Sequence, residues 1–225
     1  MKDGNNRKRL WLPPASAGPD GLVGVGGDLR PQTLIRAYSE GVFPWFNDGD
    51  PILWWSPTPR GIFEFDQVHV SRSLLKTLKS GRFRITINQD FVAVIQACAN
   101  AREEGTWITA RMIDAYTTLH KLGYAHSIET WVRDEADTDW LLAGGIYGVA
   151  IGGLFAGESM FFNATDGSKV ALVALAHHLQ KRGYTLFDTQ MVTEHTTRMG
   201  ALEIPRTEYL ERLEHAVART EITFT

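Results

Sequence analysis

LLAGGIYGVAIGGLFAGESMFFNATDGSKVALVALAHHLQKRGYTLFDTQ, residues 141–190, decides the architecture. Leu142 to Tyr147 and Val149 to Phe162 are apolar and aromatic runs interrupted by glycine, which predicts strands broken at those glycines. Ser168 to Arg182 predicts a helix. Tyr184 to Gln190 returns to strand. The order strand–strand–helix–strand assigns the chain to the α+β class. Trp140 to Gly157 is also the longest uncharged stretch, and so the best membrane candidate. Its six glycines (144, 145, 148, 152, 153 and 157) suit strands and tight turns better than a spanning helix.

Upstream, Asp28 marks the N-cap region of a helix with Pro31 in its first turn. That helix runs to about Glu40, with Leu34, Ile35 and Tyr38 on one face and Gly41 at its end. Phe43-Pro44-Trp45-Phe46 and Trp54-Trp55-Ser56-Pro57 are rich in proline and aromatics, and no regular structure is expected there. Strands are expected at Ile62–Phe65, Phe83–Ile87 and His126–Val132. Helices are expected at Ser71–Lys79, Asp90–Ala101, Arg111–Leu122 and Thr207–Val217. Trp107 falls in a loop, and Asp134 to Asp139 is a solvated turn.

A length of 225 residues with 44% hydrophobic and 22% charged residues is that of an ordinary globular protein. The net charge of -3 excludes a general polycation, so any nucleic-acid contact requires a local basic patch. One cysteine, Cys98, rules out an internal disulfide and fits a reducing compartment. Met1 to Leu10 is polar and basic with no signal-peptide core, so a soluble cytoplasmic protein is expected. His177 and His178 point in different directions on a helix, and no His or Cys spacing suits zinc, so no metal is expected. The glycine run at 24–27 lacks the lysine of a phosphate loop.

Three groups carry possible chemistry. Glu158, between glycine-rich backbone and an apolar strand, is costly to bury unpaired. Read alone, it is a surface glutamate at a strand end; the functional reading is a site for an ammonium or guanidinium. Asp188 and Gln190, two apart on a strand, share a face. They read equally as a solvated strand end or as a polar pair that positions a nucleophile. Between Gln67 and Gln89 lie Arg72, Lys76, Lys79, Arg82 and Arg84 with no acid. Arg72, Lys76 and Lys79 sit at helical spacing, a local excess that suits phosphate contact.

Taken together, a series of motifs says more. Gly24-Val25-Gly26-Gly27-Asp28-Leu29, Gly41-Val42-Phe43-Pro44-Trp45-Phe46 and Trp54-Trp55-Ser56-Pro57 are followed by Glu104-Gly105-Thr106-Trp107-Ile108, His126-Ser127-Ile128-Glu129 and Gly157-Glu158-Ser159-Met160-Phe161. Asp188-Thr189-Gln190, His195, Gly200-Ala201 and Glu203-Ile204-Pro205-Arg206 complete the series. From about Gly21 to about Leu213 the chain resembles the leucyl/phenylalanyl-tRNA–protein transferases. The resemblance implies a small N-terminal domain, placed at 1–58, and a larger domain with an acetyltransferase-like (GNAT-like) fold at 59–225. It implies transfer of Leu or Phe, less readily Met, from aminoacyl-tRNA to proteins with N-terminal Arg or Lys, which sends them to N-degron degradation. It implies no cofactor, no membrane partner and a monomer.

By the same resemblance, Asp188 and Gln190 form the catalytic relay, and Glu158 is the acidic contact to the cationic acceptor. Ile146, Phe155, Leu172, Leu175 and Phe187 line the apolar side-chain pocket. Trp45, Trp107 and Tyr116 stack on the terminal adenosine, and Arg72, Lys76 and Lys79 meet the tRNA. Some features depart from the family pattern. Thr58 replaces a common Asp, and Gly167 stands where Ala is familiar. Leu175 stands where an aromatic is frequent, and the segment Asp134 to Leu142 is long. Phe155 and Glu158 also fall on opposite faces of a regular strand, which a bulge at Gly157 would reconcile. Two other readings remain at this stage. One is an acyltransferase using acyl-CoA, for which no glycine-rich pyrophosphate loop is clear. The other is a non-catalytic binder of charged tRNA.

Overall fold

The computed structural model describes residues 10–101 and 106–225. Glu104 and Gly105 of the motif series, and all but the last residue of the polar N-terminal segment, lie outside them. Strand β1 (Leu22–Val25), helix α1 (Pro31–Ser39), β2 (Phe43–Pro44) and β3 (Leu53–Trp55) come first. Then follow β4 (Arg60–Phe63), α2 (Arg72–Lys79), β5 (Arg84–Ile87), α3 (Phe91–Asn100), α4 (Ala110–Lys121), β6 (Ala125–Arg133), β7 (Trp140–Ile151) and β8 (Leu154–Phe162). Helix α5 (Gly167–Arg182), β9 (Leu186–Gln190), α6 (Glu194–Arg198), β10 (Ala201–Ile204) and α7 (Arg206–Val217) complete the α+β chain.

Most helices start where side-chain caps are available. Ser71 accepts from the Leu74 amide, Asp90 from Ala93 and Thr109 from Met112. Asp28 was expected as an N-cap, but Arg30 occupies that position. Asp28 instead braces the turn, accepting from the Arg30 amide and the Thr33 hydroxyl. The proline-rich segment corrects a second expectation: β1, β3 and β2 form a three-stranded antiparallel sheet. Pro44 is tolerated because β2 is an edge strand, and Trp54 of the central strand is fully buried.

The larger sheet runs β10-β4-β9-β8-β7-β6-β5, antiparallel except for the β8–β9 pair that α5 connects. Strand β7 is continuous through Gly144, Gly145 and Gly148. The break falls instead at Gly152-Gly153, where Gly152 takes φ +54°. The three earlier glycines make room rather than breaks. A Cβ on Gly148 would sit 2.3 Å from the Ala156 carbonyl oxygen, and one on Gly144 2.5 Å from the Gly167 backbone.

One face of the large sheet (Tyr147, Val149, Ala156 and Phe161) packs on α1, α3, α4 and the small sheet in a single apolar cluster. The other face (Ile146, Phe155 and Phe187) packs on α5 and Phe63. Among the described residues, no helix is long and apolar enough to cross a membrane.

Candidate active site

Strands β8 and β9 pair only from Leu154↔Leu186 to Ala156↔Asp188, although β8 continues to Phe162 and β9 to Gln190. The pair therefore opens beyond Ala156. At that point β8 is bulged: Tyr147 pairs Ser159 and Gly148 pairs Gly157, leaving Glu158 as the extra residue. A bulge re-aims a side chain, and here it turns Glu158 toward the opening. A cavity of about 460 Å³ fills the gap, within the roughly 300–1,000 Å³ usual for small-molecule sites.

Phe63, Ile146, Leu172 and Phe187 form an apolar wall of this cavity, with Met160 beside them. Trp45, Phe162 and Met191, all exposed, stand at its mouth, and Trp107 lines it too. Glu158 and Gln190 provide the polar wall. Phe155 and Leu175 were expected in the lining. Both are instead fully buried behind it, Phe155 edge-on against the wall residue Phe187 and stacked on Phe224.

Asp188 does not line the cavity. Its carboxylate is fully buried and its acceptor positions are taken. Oδ1 accepts from Arg60 Nε at 2.8 Å and from the Gln190 amide at 2.9 Å. Oδ2 accepts from Arg60 Nη2 at 2.6 Å and from the Tyr209 hydroxyl at 2.9 Å. The Arg60 guanidinium also donates to the Gly41 carbonyl and lies over the rings of Tyr209 and Phe43. Burial opposes its charge, but Asp188 beside it holds its pKa above the ordinary value.

Gln190 leaves the strand in the left-handed region, φ 56°, a conformation that costs a non-glycine residue about 1–2 kcal/mol. The hydrogen bond from its amide to Asp188 secures that turn. Its side chain consequently diverges from that of Asp188, and Nε2 donates to Glu158 Oε1 at 3.1 Å.

Glu158 Oε1 also accepts from the Tyr38 hydroxyl at 2.7 Å, and Oε2 from Tyr116 at 3.3 Å. The two tyrosine hydroxyls hydrogen-bond each other. Burial and the Glu158 carboxylate push both phenols well above their usual pKa, so both remain protonated, and their two protons are shared among the three contacts of the triangle. Burial raises Glu158 to about 7, and the nearby Asp188 adds to this, while the Tyr38 and Tyr116 hydrogen bonds pull the other way. Tyr116 was expected to stack on a base. It has no exposed face: its ring packs edge-on against Tyr38 and Tyr147.

Arg72, Lys76 and Lys79 are exposed on α2, outside the cavity. Thr77 of α2 donates to Asp166, two residues before Ser168 in the cavity lining, so the basic helix lies close to the cavity wall. Among the described residues, no cluster of His, Cys, Asp or Glu is placed to hold a metal.

Sequence reasoning passed over Arg60, Tyr38, Tyr209 and the lining role of His195, whose buried Nε2 has no hydrogen-bond partner. An arginine opening the apolar run Arg60-Gly61-Ile62-Phe63 is a readable signal, since a buried guanidinium demands an acid. A tyrosine on the apolar face of α1 is another, since its hydroxyl needs a partner.

Comparison with known proteins gives concordant results. The family model for leucyl/phenylalanyl-tRNA protein transferases matches residues 62–214, and that for the N-terminal domain of the same proteins matches residues 27–58. The chain is 53% identical over 210 residues to a leucyl/phenylalanyl-tRNA–protein transferase of Magnetococcus marinus, covering 92% of this chain and 89% of that protein. It is 54% identical over 197 residues to the one from Nitrosomonas europaea, covering 87% and 81%. It is 51% identical over 214 residues to the one from Anaeromyxobacter sp. strain K, covering 94% and 89%.

Proposed function

Because this chain belongs to the leucyl/phenylalanyl-tRNA protein transferase family, we propose that it moves Leu or Phe, less readily Met, from aminoacyl-tRNA to the α-amine of proteins beginning with Arg or Lys. Aminoacyl transfer from tRNA to protein follows from the family. The choice of acceptor, the consequence (N-degron degradation in the cytoplasm) and action as a monomer belong to the proposal. So does the division into residues 1–58 and a GNAT-like catalytic unit at 59–225.

The observation that carries this reading is the juxtaposition, in one cavity, of an apolar wall with the Glu158–Gln190 pair. The wall of Phe63, Ile146, Leu172 and Phe187 takes the leucyl or phenylalanyl side chain by burying its apolar area. A wall of this kind separates similar apolar groups only modestly, which suits a relaxed choice among Leu, Phe and Met. Trp45 and Trp107 supply faces for the terminal adenosine. Arg72, Lys76 and Lys79 meet phosphates, a contact indifferent to tRNA sequence.

Glu158 offers negative charge to the cationic end of the acceptor. The acceptor amine, pKa roughly 8, attacks the ester carbonyl. The ester is already activated, so positioning supplies much of the acceleration. Gln190 touches the reacting groups, and Asp188 acts through it, by fixing its backbone. The test offers purified protein an Arg-initiated peptide with labelled Leu-tRNA or labelled acetyl-CoA. Label is expected on the peptide from Leu-tRNA alone. Transfer only from acetyl-CoA, or from neither donor, refutes the assignment.

A further inference from the structure

We infer that Glu158 is the proton acceptor for the attacking α-amine, and that its open oxygen position receives that nitrogen rather than the cationic side chain of the acceptor. This deepens the reading above and rests on it. A carboxylate offers about four acceptor positions. Asp188 has all four engaged, by Arg60 twice, Tyr209 and the Gln190 amide. It is also closed off from the cavity, so it has no position for a new proton. On Glu158, Oε1 is engaged by Tyr38 and Gln190, while Oε2 has only the longer 3.3 Å contact of Tyr116, and the two phenol protons also serve the bond between the tyrosines. Acceptor capacity therefore remains on Oε2, and Glu158 lines the cavity.

A guanidinium binds a carboxylate best as a fork, with two parallel bonds to two oxygens. With Oε1 filled by Tyr38 and Gln190, a fork across both oxygens is blocked and Oε2 alone is left to accept. A side-chain ammonium would also fit one position, but the two parts of the acceptor differ in what they require. Only the α-nitrogen must lose a proton for the reaction to proceed.

The step balances without a co-reactant. The α-nitrogen bonds to the carbonyl carbon of the ester and gives its proton to Glu158. The bond from that carbon to the ribose oxygen breaks, the oxygen takes the proton, and the carboxylate is restored. Every group facing Glu158 is consistent with this role. Tyr38 of α1 and Tyr116 of α4 share their two protons with it and with each other, and Tyr147 of β7 lies beside them. Arg60 of β4 acts on Glu158 attractively, but its hydrogen bonds go to Asp188 of β9, Tyr209 and Gly41. Cys98 of α3 acts on Tyr147. His195 of α6 lines the cavity with its pKa lowered by burial, so it adds no fixed charge at neutral pH. The pKa of about 7 makes the carboxylate a competent base at neutral pH while it can still release the proton.

The test compares the full chain with Glu158→Gln, using peptides that begin with Arg and with citrulline, which keeps the shape of arginine without its charge. Glu158→Gln is expected to lower kcat by about 10²-fold or more for both peptides. With the citrulline peptide, log kcat/KM of the parent should rise two decades per pH unit below pH 7, one for Glu158 and one for the amine. In Glu158→Gln the slope should fall to one. Tyr38→Phe leaves the carboxylate in place but removes a bond that holds its pKa down, so the acid limb should move to higher pH. A Glu158→Gln loss confined to KM and to the Arg peptide overturns the inference and leaves transfer standing, as does an unmoved limb in Tyr38→Phe. A parent chain that transfers nothing from Leu-tRNA overturns both.

Discussion

At the scale of single residues, the buried Arg60–Asp188 pair sets the conditions for everything beside it. Removing one member of such a pair leaves an uncompensated buried charge, which costs about 3–5 kcal/mol. Asp188→Ala should therefore lower the urea midpoint as well as transfer, and its activity alone would not separate folding from chemistry. The double variant Arg60→Met/Asp188→Leu should regain most of the lost stability, since it buries no unpaired charge. Transfer should stay depressed, because the Gln190 amide has still lost its acceptor at φ 56°. An Asp188→Ala chain as stable as the parent would refute this account. The arrangement also shows how far residue spacing can be read. Asp188 and Gln190, two apart, share a face in an ideal strand. The left-handed turn at Gln190 separates them, sending one side chain to Arg60 and the other to Glu158. A single φ angle is not legible in spacing.

At the scale of elements, the sequence was read well wherever periodicity and capping agreed, as in α2, α3 and α4. It was read poorly where tertiary pairing overrode local preference. Proline and aromatics argued against strands at Phe43–Pro44 and Leu53–Trp55, yet an edge position accommodates Pro44 and burial rewards Trp54. Glycines argued for breaks in β7, yet Gly144 and Gly148 face neighbouring backbone that a Cβ would strike, and Gly145 is tightly packed. The parity conflict between Phe155 and Glu158 did point to a real bulge, with Glu158 as its extra residue. The resemblance, not the spacing, had placed Phe155 in the cavity wall, and it lies buried behind that wall. Helix α2 carries a prediction of its own. Its cations Arg72, Lys76 and Lys79 face solvent without an ion pair among the described residues. If they meet phosphates, Lys76→Glu/Lys79→Glu should weaken tRNA binding and reduce the slope of log K against log salt by about one per lost contact. Equal slopes for variant and parent would place the tRNA elsewhere.

At the scale of the molecule, the site and the fold are one construction. Tyr38 reaches Glu158 from α1, and Arg60 joins Gly41 to Asp188. One apolar cluster unites Trp11 and Trp54 with Phe91 and Tyr147. The chain must therefore bear the cost of the site in its overall stability, and pH reveals that cost. Glu158 has its pKa raised by burial from 4.5 to about 7. Between those values the folded chain binds more protons than the unfolded one, so this group's contribution to stability falls as pH rises from 4.5 to 7. The size of the fall is roughly 3 kcal/mol at most, given about 1.4 kcal/mol per pKa unit. His126, lowered by burial to about 4, acts oppositely, with stability rising between 4 and 6.5, and His178 and His195 shift in the same direction. The parent's own profile mixes these slopes. The difference between Glu158→Gln and parent isolates the first of them, because the histidines are common to both chains. That difference, from urea unfolding at several pH values, should grow in favour of Glu158→Gln from about pH 4.5 to about pH 7 and stay level above. The histidine contributions cancel in it, so a difference that does not change with pH would mean that the cavity does not hold Glu158 near neutrality.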